Sequence, residues 1–225
     1  MSFLRSTGAI LRKDVRSELR TKERLSSMFF FALLILLIFS FAFEPGTEVM
    51  GKITPGVLWA TFVFTGLLGL NRSFVSEQEN GCLQGLLLCP ADRGALFLGK
   101  MAGNAIFMFI VEAIALPLFA VFLHMSVLPH LAQLSLVIVL GTVGFSSVGT
   151  LFSAMSVNTK MREVMLPILL FPVAVPVILA SVRATEGILR GEGLGQISSW
   201  LKIAGAFDVI FVTLSLLVFE YVVEE

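Results

Sequence analysis

Charged residues are scarce in this 225-residue chain. Asp, Glu, Lys and Arg make up 14% of the sequence, against about 25% in an average soluble domain, while hydrophobic residues make up 56%. This balance excludes an ordinary soluble domain and indicates a protein whose solvent is lipid. The 16 basic and 16 acidic residues cancel, so the net charge gives no sign of a nucleic-acid partner, and we expect none.

Residue types that carry chemistry are also few. The two cysteines, Cys82 and Cys89, lie in a stretch assigned below to the cytoplasm, where a structural disulfide is not expected. The chain has no GxxxxGK[ST] segment to hold nucleotide phosphates, and no histidine cluster, paired carboxylates or activated nucleophile. We therefore predict no catalytic residue, no metal site and no directly bound cofactor, and we expect that the chain is not an enzyme. No cleavable signal peptide is expected either, because a long polar segment precedes the first apolar run.

Six long apolar segments account for most of the sequence. They cover residues 25–43, 53–70, 101–123, 133–155, 164–182 and 203–223. Each is close to the roughly 20 residues that a helix needs to cross a bilayer core of about 30 Å. The runs are continuously apolar rather than alternating, which favours helices over the strands of a β-barrel. The sequence predicts an all-α integral membrane protein, in which six transmembrane helices form one permease domain over residues 25–225.

Lys and Arg are unevenly distributed between the segments that connect these spans. If both termini are cytoplasmic, twelve of the sixteen basic residues fall in cytoplasmic segments and four fall outside. An excess of this kind on the cytoplasmic side is typical of multi-pass membrane proteins. We therefore predict that both termini lie in the cytoplasm.

Residues 1–24 have the pattern of an amphipathic helix. Apolar and basic residues recur at helical spacing: Leu4, Leu11, Val15 and Leu19 on one stripe, and Arg12, Arg16, Arg20 and Arg24 on the adjacent flank. Such a helix lies in the membrane interface, where its guanidinium groups meet anionic headgroups. The alternative is that the arginines only set the topology.

Residues 71–100, NRSFVSEQENGCLQGLLLCPADRGALFLGK, form the longest polar stretch between spans. Acidic residues precede an apolar run that ends at Pro90, which predicts a short helix over residues 75–88 lying across the membrane face. A helix of this kind can dock into a groove of a cytoplasmic partner. The alternative is that it rests on the protein's own surface.

Acidic residues also occur within the predicted spans. Glu112 lies near the middle of the third span, where an ionisable side chain faces a bundle interior or a cavity. We expect either a role in transport or conformational change, or a structural hydrogen bond to a neighbouring helix. Asp208 and Glu220, in contrast, are placed near the ends of the sixth span, where they can reach water.

The fourth and fifth spans contain residues that shape helix packing. Glycine and serine recur between Gly141 and Ser153, which predicts a seam where another helix approaches closely. The fifth span contains three prolines: Pro167, Pro172 and Pro176. They predict a kinked helix, broken or re-entrant within the membrane.

The 71–100 loop also carries a pattern that resembles the coupling segment of ABC-2 type permeases. The residues of this pattern are Arg72, Phe74, Glu77, Glu79, Gly81, Leu83, Leu86, Leu87, Leu88, Pro90 and Lys100. The pattern is more similar still to that of the haem exporter protein B family of cytochrome c maturation. Two further stretches, LGTVGFSSVGTLFSA in the fourth span and LLFPVAVPVILAS in the fifth, agree with that family in order and spacing. The resemblance covers most of the chain.

The resemblance implies the membrane subunit of an ABC transporter complex in the bacterial cytoplasmic (inner) membrane. ATP would be hydrolysed by a separate pair of ATPase subunits, and this would drive haem delivery or the release of a haem-loaded periplasmic chaperone. The implied partners are a second copy of the chain or a related permease, a haem-handling membrane protein, that chaperone and the lipid bilayer. The residues implied in coupling to the ATPase are Arg72, Glu77, Glu79, Gly81, Leu83, Leu86, Leu87 and Pro90.

Haem as a possible cargo of the complex draws attention to the two histidines. His124 and His130 lie in the short segment between the third and fourth spans, and haem iron accepts histidine as an axial ligand. A haem contact is one hypothesis for these histidines, and the other is that they are solvated loop residues.

Two further functions of the chain stay open: an ABC-2 type export permease for a lipid or another small molecule, and a non-transporting membrane scaffold.

Overall fold

The computed structural model describes residues 3–43, 47–79, 92–123, 127–157, 159 and 161–224. Over these ranges the chain forms α-helices and one 3-10 turn at Leu128–His130, without a strand, so the all-α prediction is confirmed. The helices are α1 (Phe3–Thr21), α2 (Glu23–Ala42), α3 (Glu48–Glu79), α4 (Arg93–Phe122), α5 (Leu131–Ser156), α6 (Arg162–Leu189) and α7 (Leu194–Glu224).

Six of these helices, α2 to α7, are long and apolar enough to cross a membrane. Each contains its predicted span to within one residue, so the prediction of six transmembrane helices is confirmed. Three of them, α3, α4 and α7, run two turns or more beyond the predicted limits. The apolar runs therefore locate the spanning helices without fixing where each helix begins and ends.

Helix α5 lies at the centre of the bundle, where it contacts α3, α4, α6 and α7. Its glycines allow these neighbours to approach closely. A Cβ added at Gly141, Gly144 or Gly149 would collide with Trp59, Asp208 or Leu70, respectively. The predicted packing seam is thus confirmed, and it serves several helices rather than one.

Buried apolar side chains form two clusters. The larger contains residues from all six helices α2 to α7, and the smaller lies at one end of the bundle. The smaller cluster consists of Ile10, Phe74, Leu96, Phe97, Leu151, Ala154, Val157 and Phe219, and we call it the loop-anchor cluster. Since Ile10 and Phe219 both belong to it, the two ends of the chain lie on the same side of the bundle.

Helix α1 ends earlier than the predicted 1–24 segment, and this changes the position of Arg24. Lys22 adopts a left-handed conformation (φ 57°) that separates α1 from α2. The Glu18 carboxylate accepts a hydrogen bond from the Leu25 backbone N–H (2.9 Å), which satisfies a donor at the new helix start. The prediction that Arg24 belongs to the headgroup flank is wrong, because Arg24 belongs to α2 and is buried.

The prediction of a broken or re-entrant fifth span is also wrong. Helix α6 runs without interruption for 28 residues through all three prolines. Pro172 and Pro176 lie on its exposed side, while Leu170, Ala174 and Val177 pack inside the bundle. The packed face holds the helix together, and proline is tolerated in membrane helices where the freed carbonyls find other partners. A kink at these prolines stays a prediction.

The predicted loop helix over residues 75–88 is corrected in part. Residues 75–79 continue α3 to Glu79 instead of beginning a separate helix. Residues 80–91, which contain the apolar run and Pro90, lie outside the described residues.

Candidate functional site

The two ends of the loop between α3 and α4 are anchored at one place. Phe74 near the end of α3 and Leu96 and Phe97 near the start of α4 all lie in the loop-anchor cluster. The Phe97 and Phe219 ring centroids are 5.3 Å apart, and the Lys100 ammonium lies 5.4 Å from the centroid of the Phe74 ring. The end of α3 and the start of α4 are therefore packed in the same cluster.

Helix α1 is fastened to the same place through a buried ion pair. The Lys100 ammonium is 2.9 Å from an Asp14 carboxylate oxygen, and Lys100 is 2% exposed. Next to this pair, the absence of a side chain at Gly99 lets α1 approach, since a Cβ there would be 2.9 Å from Ile10 Cβ. The ion pair and this close contact hold α1 against the start of α4.

A second buried cation joins α2, α4 and α5. Arg24 donates a hydrogen bond to Asn104 Oδ1 (2.7 Å), and Asn104 Nδ2 donates to Thr150 Oγ1 (2.8 Å). The guanidinium carbon also lies 4.7 Å from the centroid of the Phe107 ring. Sequence reasoning missed this chain of contacts, although Asn104 within an apolar run was a visible signal.

Serine hydroxyls tie α5 to both helices that flank the loop. Ser153 Oγ donates to the Leu70 carbonyl of α3 (2.8 Å), and Ser146 Oγ donates to the Met101 carbonyl of α4 (3.0 Å). These bonds are made in the interior, where a hydroxyl needs a partner. Helix α5 is thus linked to both helices that flank the loop.

Beside α5, a carboxylate of α4 lies in the bundle interior. Glu112 is 2% exposed, and its Oε1 accepts a hydrogen bond from Thr142 Oγ1 (2.8 Å). Its Oε2 is buried without a hydrogen-bond partner among the described residues. Glu112 also lines a cavity of about 10 Å³, which is close to the minimum that one water needs. The inward orientation expected from the sequence is observed, and the role of the residue stays a prediction.

Two further polar side chains lie beside the same segment of α5, next to Gly141 and Gly144. On one side, Trp59 Nε1 donates to Thr185 Oγ1 (2.9 Å), which joins α3 to α6. On the other side, Asp208 of α7 lies against Gly144 and is 8% exposed. We call this set the polar layer: Trp59, Glu112, Thr142, Ser181, Thr185 and Asp208.

The position of Asp208 corrects the expectation that it reaches water at a helix end. Because α7 begins at Leu194, Asp208 lies near the middle of the helix. Its Oδ1 is buried without a hydrogen-bond partner within the described part of the chain, as is Ser181 Oγ. Polar atoms of this kind at membrane depth are costly and point to a functional site. Four helices thus bring polar side chains to the centre of α5.

The other predicted site residues are only partly described. Arg72 lies on the exposed side of α3, 3.4 Å from Glu23, in an ion pair that contributes little to stability. His130 ends the 3-10 turn before α5 and is half-buried. The remaining members lie outside the described residues or have side chains that are not described: Glu77, Glu79, Gly81, Leu83, Leu86, Leu87, Pro90 and His124.

A six-helix bundle with a membrane-embedded polar layer defines a polytopic membrane protein of the permease class. Comparison with known families makes this assignment specific. The chain belongs to the CcmB protein family, whose model matches residues 5–224. The resemblance to the haem exporter protein B family that the sequence indicated is therefore confirmed.

Individual relatives cover most of the chain. "Heme exporter protein B" of Rhodobacter capsulatus is 31% identical over 187 residues, which are 83% of this chain and 84% of the relative. The protein of the same name from Haemophilus influenzae is 26% identical, over 92% of this chain and 91% of the relative. That from Pseudomonas aeruginosa is 26% identical, over 81% of both chains. These alignments extend over the bundle and are not confined to one loop.

Proposed function

We propose that this chain is the membrane subunit of an ABC transporter complex that acts in cytochrome c maturation, with haem as the cargo of the complex. The family match and the names of the relatives support the haem pathway. ATP is bound and hydrolysed by partner subunits, since the chain has no phosphate-binding loop. Hydrolysis then drives haem delivery or the release of a haem-loaded periplasmic chaperone.

The loop-anchor cluster is the observation that carries this proposal. A force on the loop reaches Phe74 and Phe97 together, because both lie in that cluster. Ser153 and Ser146 pass it on to α5, which carries Thr142 and Gly144 of the polar layer. A short path of packed and hydrogen-bonded helices thus connects the loop to the membrane interior.

The proposed arrangement places the loop and both termini in the cytoplasm of a bacterial cell, with the bundle in its cytoplasmic (inner) membrane. The excess of Lys and Arg at this end of the bundle supports that orientation. A pair of ATPase subunits docks on the loop, and a second copy of this chain or a related permease completes the membrane part. A haem-handling membrane protein and the periplasmic chaperone act on the outer side.

Leu86→Glu is expected to abolish stimulation of the partner ATPase. Leu86 belongs to the apolar run of the loop, and placing a charge at a docking position costs about 2 kcal/mol or more, which weakens docking of the partner at least about thirtyfold. The measurement is ATP hydrolysis by the co-reconstituted partner. Gly81→Pro is expected to have the same effect, because it stiffens the same segment.

Leu128→Glu is the matched control, because Leu128 is 87% exposed at the opposite end of the bundle. It should leave stimulation unchanged. Retained stimulation by a membrane-inserted, monodisperse Leu86→Glu protein would contradict the coupling role of the loop.

The substrate pathway is tested separately by deleting the gene. We expect loss of covalently haem-stained c-type cytochromes and their recovery on re-expression of the wild-type chain. Normal cytochrome content together with a defect in lipid or drug export would favour the alternative permease function. Normal cytochrome content and normal export, with the partner ATPase mislocalised, would favour the scaffold.

Glu112→Gln is expected to separate the structural and functional roles of this residue. Glutamine keeps a side-chain oxygen to accept the Thr142 hydroxyl, so stability should change by less than about 1 kcal/mol. Cytochrome c maturation should nevertheless fall, because an amide, unlike a carboxyl group, neither becomes negatively charged nor takes up and releases a proton. Normal maturation with Gln, combined with loss of folding in Glu112→Leu, would show that the residue only makes a structural hydrogen bond.

A further inference from the structure

Helix α1 has three faces with different surroundings. Ser6, Ile10 and Asp14 form the face that packs on the bundle. At about 100° per residue, the apolar stripe of Leu4, Leu11, Val15 and Leu19 occupies the next face. Arg5, Arg12, Arg16 and Arg20 share a third face that spans roughly a quarter of the circumference and is turned about 120° away from the bundle face. In the structure, Leu11 and Val15 of the stripe are half-buried, and Leu11 lies beside Gly103 of α4, whereas the four arginines are all exposed.

The arginine face has the properties of an anion-binding surface. All four arginines are exposed, and none forms an ion pair with any residue that the structure describes. Next to them, Leu4 and Leu19 are 80% and 58% exposed. A folded helix that presents basic and apolar side chains side by side fits a surface that is both anionic and apolar.

The chain itself places this helix at the membrane surface. Only Lys22 separates α1 from α2, which is a membrane-spanning helix. The arginines therefore lie at the level of lipid headgroups while the leucines reach the acyl boundary. Anionic phospholipid is thus the ligand that matches both the charge and the position.

We propose that the arginine face of α1 binds anionic phospholipid headgroups, and that this lipid holds α1 in place beside the loop between α3 and α4. The second part follows from the face of the helix that packs on the bundle. Asp14 pairs with buried Lys100 at 2.9 Å, and Ile10 lies against Gly99 and within the loop-anchor cluster. Lipid bound on one side of α1 therefore supports, through the other side, the end of the loop that enters α4. This proposal goes beyond the transporter function and does not depend on it.

The test uses the full-length chain alone in nanodiscs of phosphatidylcholine, with or without phosphatidylglycerol. Native mass spectrometry counts the phosphatidylglycerol molecules that stay bound, and hydrogen exchange reports the protection of α1. We expect retained phosphatidylglycerol and stronger α1 protection in the mixed lipid. Changing all four arginines to glutamine should lower phosphatidylglycerol affinity by roughly several hundredfold, since each basic residue near an anionic surface contributes roughly fivefold and the four contributions multiply.

Two variants with matched changes make the result specific. Changing the same four arginines to lysine keeps the charge and should retain most of the binding. Changing Lys52, Arg183, Arg190 and Lys202 to glutamine removes the same charge from exposed positions outside α1 and should leave the lipid count unchanged. Equal lipid loss in this control and in the α1 glutamine variant would overturn the proposal, as would equal loss in the lysine variant.

Additional outcomes would also overturn it. Equal α1 protection in both lipid mixtures would show that lipid does not hold the helix. Lipid-independent protection that arises only on adding the partner ATPase would show that the arginines bind an acidic protein surface instead.

Discussion

Asp14→Ala is expected to destabilise the protein by about 3 kcal/mol, the low end of the range for breaking a buried ion pair. The change removes the 2.9 Å contact to Lys100, and Lys100 is 2% exposed, so its ammonium group cannot exchange the lost carboxylate for bulk water. The stability can be measured by SDS titration in mixed micelles, followed by the fluorescence of the two tryptophans. Hydrogen exchange should show that α1 and the start of α4 loosen together.

The exposed pair between Glu48 and Lys52 provides the matched control. Its side chains are 85% and 62% exposed, so Glu48→Ala should cost less than about 1 kcal/mol. The combined change of Asp14→Leu and Lys100→Met should recover most of the stability, because replacing both charges removes the desolvation penalty. Equal effects of Asp14→Ala and Glu48→Ala would show that the pair does not fasten α1.

The membrane-spanning helices could be predicted from the sequence because the signal is local. Every span needs about 20 apolar residues, and hydropathy adds up along the chain without reference to the fold. The same local signal cannot give the helix ends. A helix can continue through polar residues after its apolar run has ended, because those residues face water and not lipid. For this reason the predicted sixth span begins nine residues after the start of α7, and Asp208 lies near the end of that span although it is near the middle of the helix.

Arg24 shows a second limit of sequence reasoning. Its spacing from Arg12, Arg16 and Arg20 continues a perfect four-residue repeat. The repeat holds only while the helix continues, and the left-handed Lys22 ends it. What then decides the position of Arg24 is a partner 80 residues away, Asn104, which periodicity cannot show.

The prolines of α6 show the opposite error, in which a strong local signal is overridden by packing. Proline in a helix interior costs about 3 kcal/mol in water, where the alternative is a solvated turn. In lipid a broken segment would expose several backbone groups instead of one, so continuing the helix is the less costly choice.

The polar layer could be predicted only in part: Glu112 is conspicuous, whereas Trp59 and Thr185 become partners only through the fold.

Gly141→Ala is expected to destabilise the bundle by about 1–3 kcal/mol, as overpacking of a filled interior does. The added Cβ would overlap the Trp59 ring and lie 2.7 Å from Ser181 Oγ. Trp59 cannot move aside freely, because its indole N–H donates to Thr185 Oγ1. The same SDS titration measures this loss.

A double-mutant cycle with Trp59→Phe identifies the cause of this loss. The smaller ring leaves space at Gly141, so Gly141→Ala should cost less in the Phe background, giving a coupling energy of about 1 kcal/mol or more. Gly205→Ala is the control, because nothing lies within 4 Å of the position of its Cβ, and in a helix this change should be neutral or slightly stabilising. Additive effects of Gly141→Ala and Trp59→Phe would contradict the close contact of α5 with α3. A large coupling would show that the position of α5 is set by side chains of the polar layer, so that a shift of α5 driven from the loop must also move Trp59 and its bond to α6.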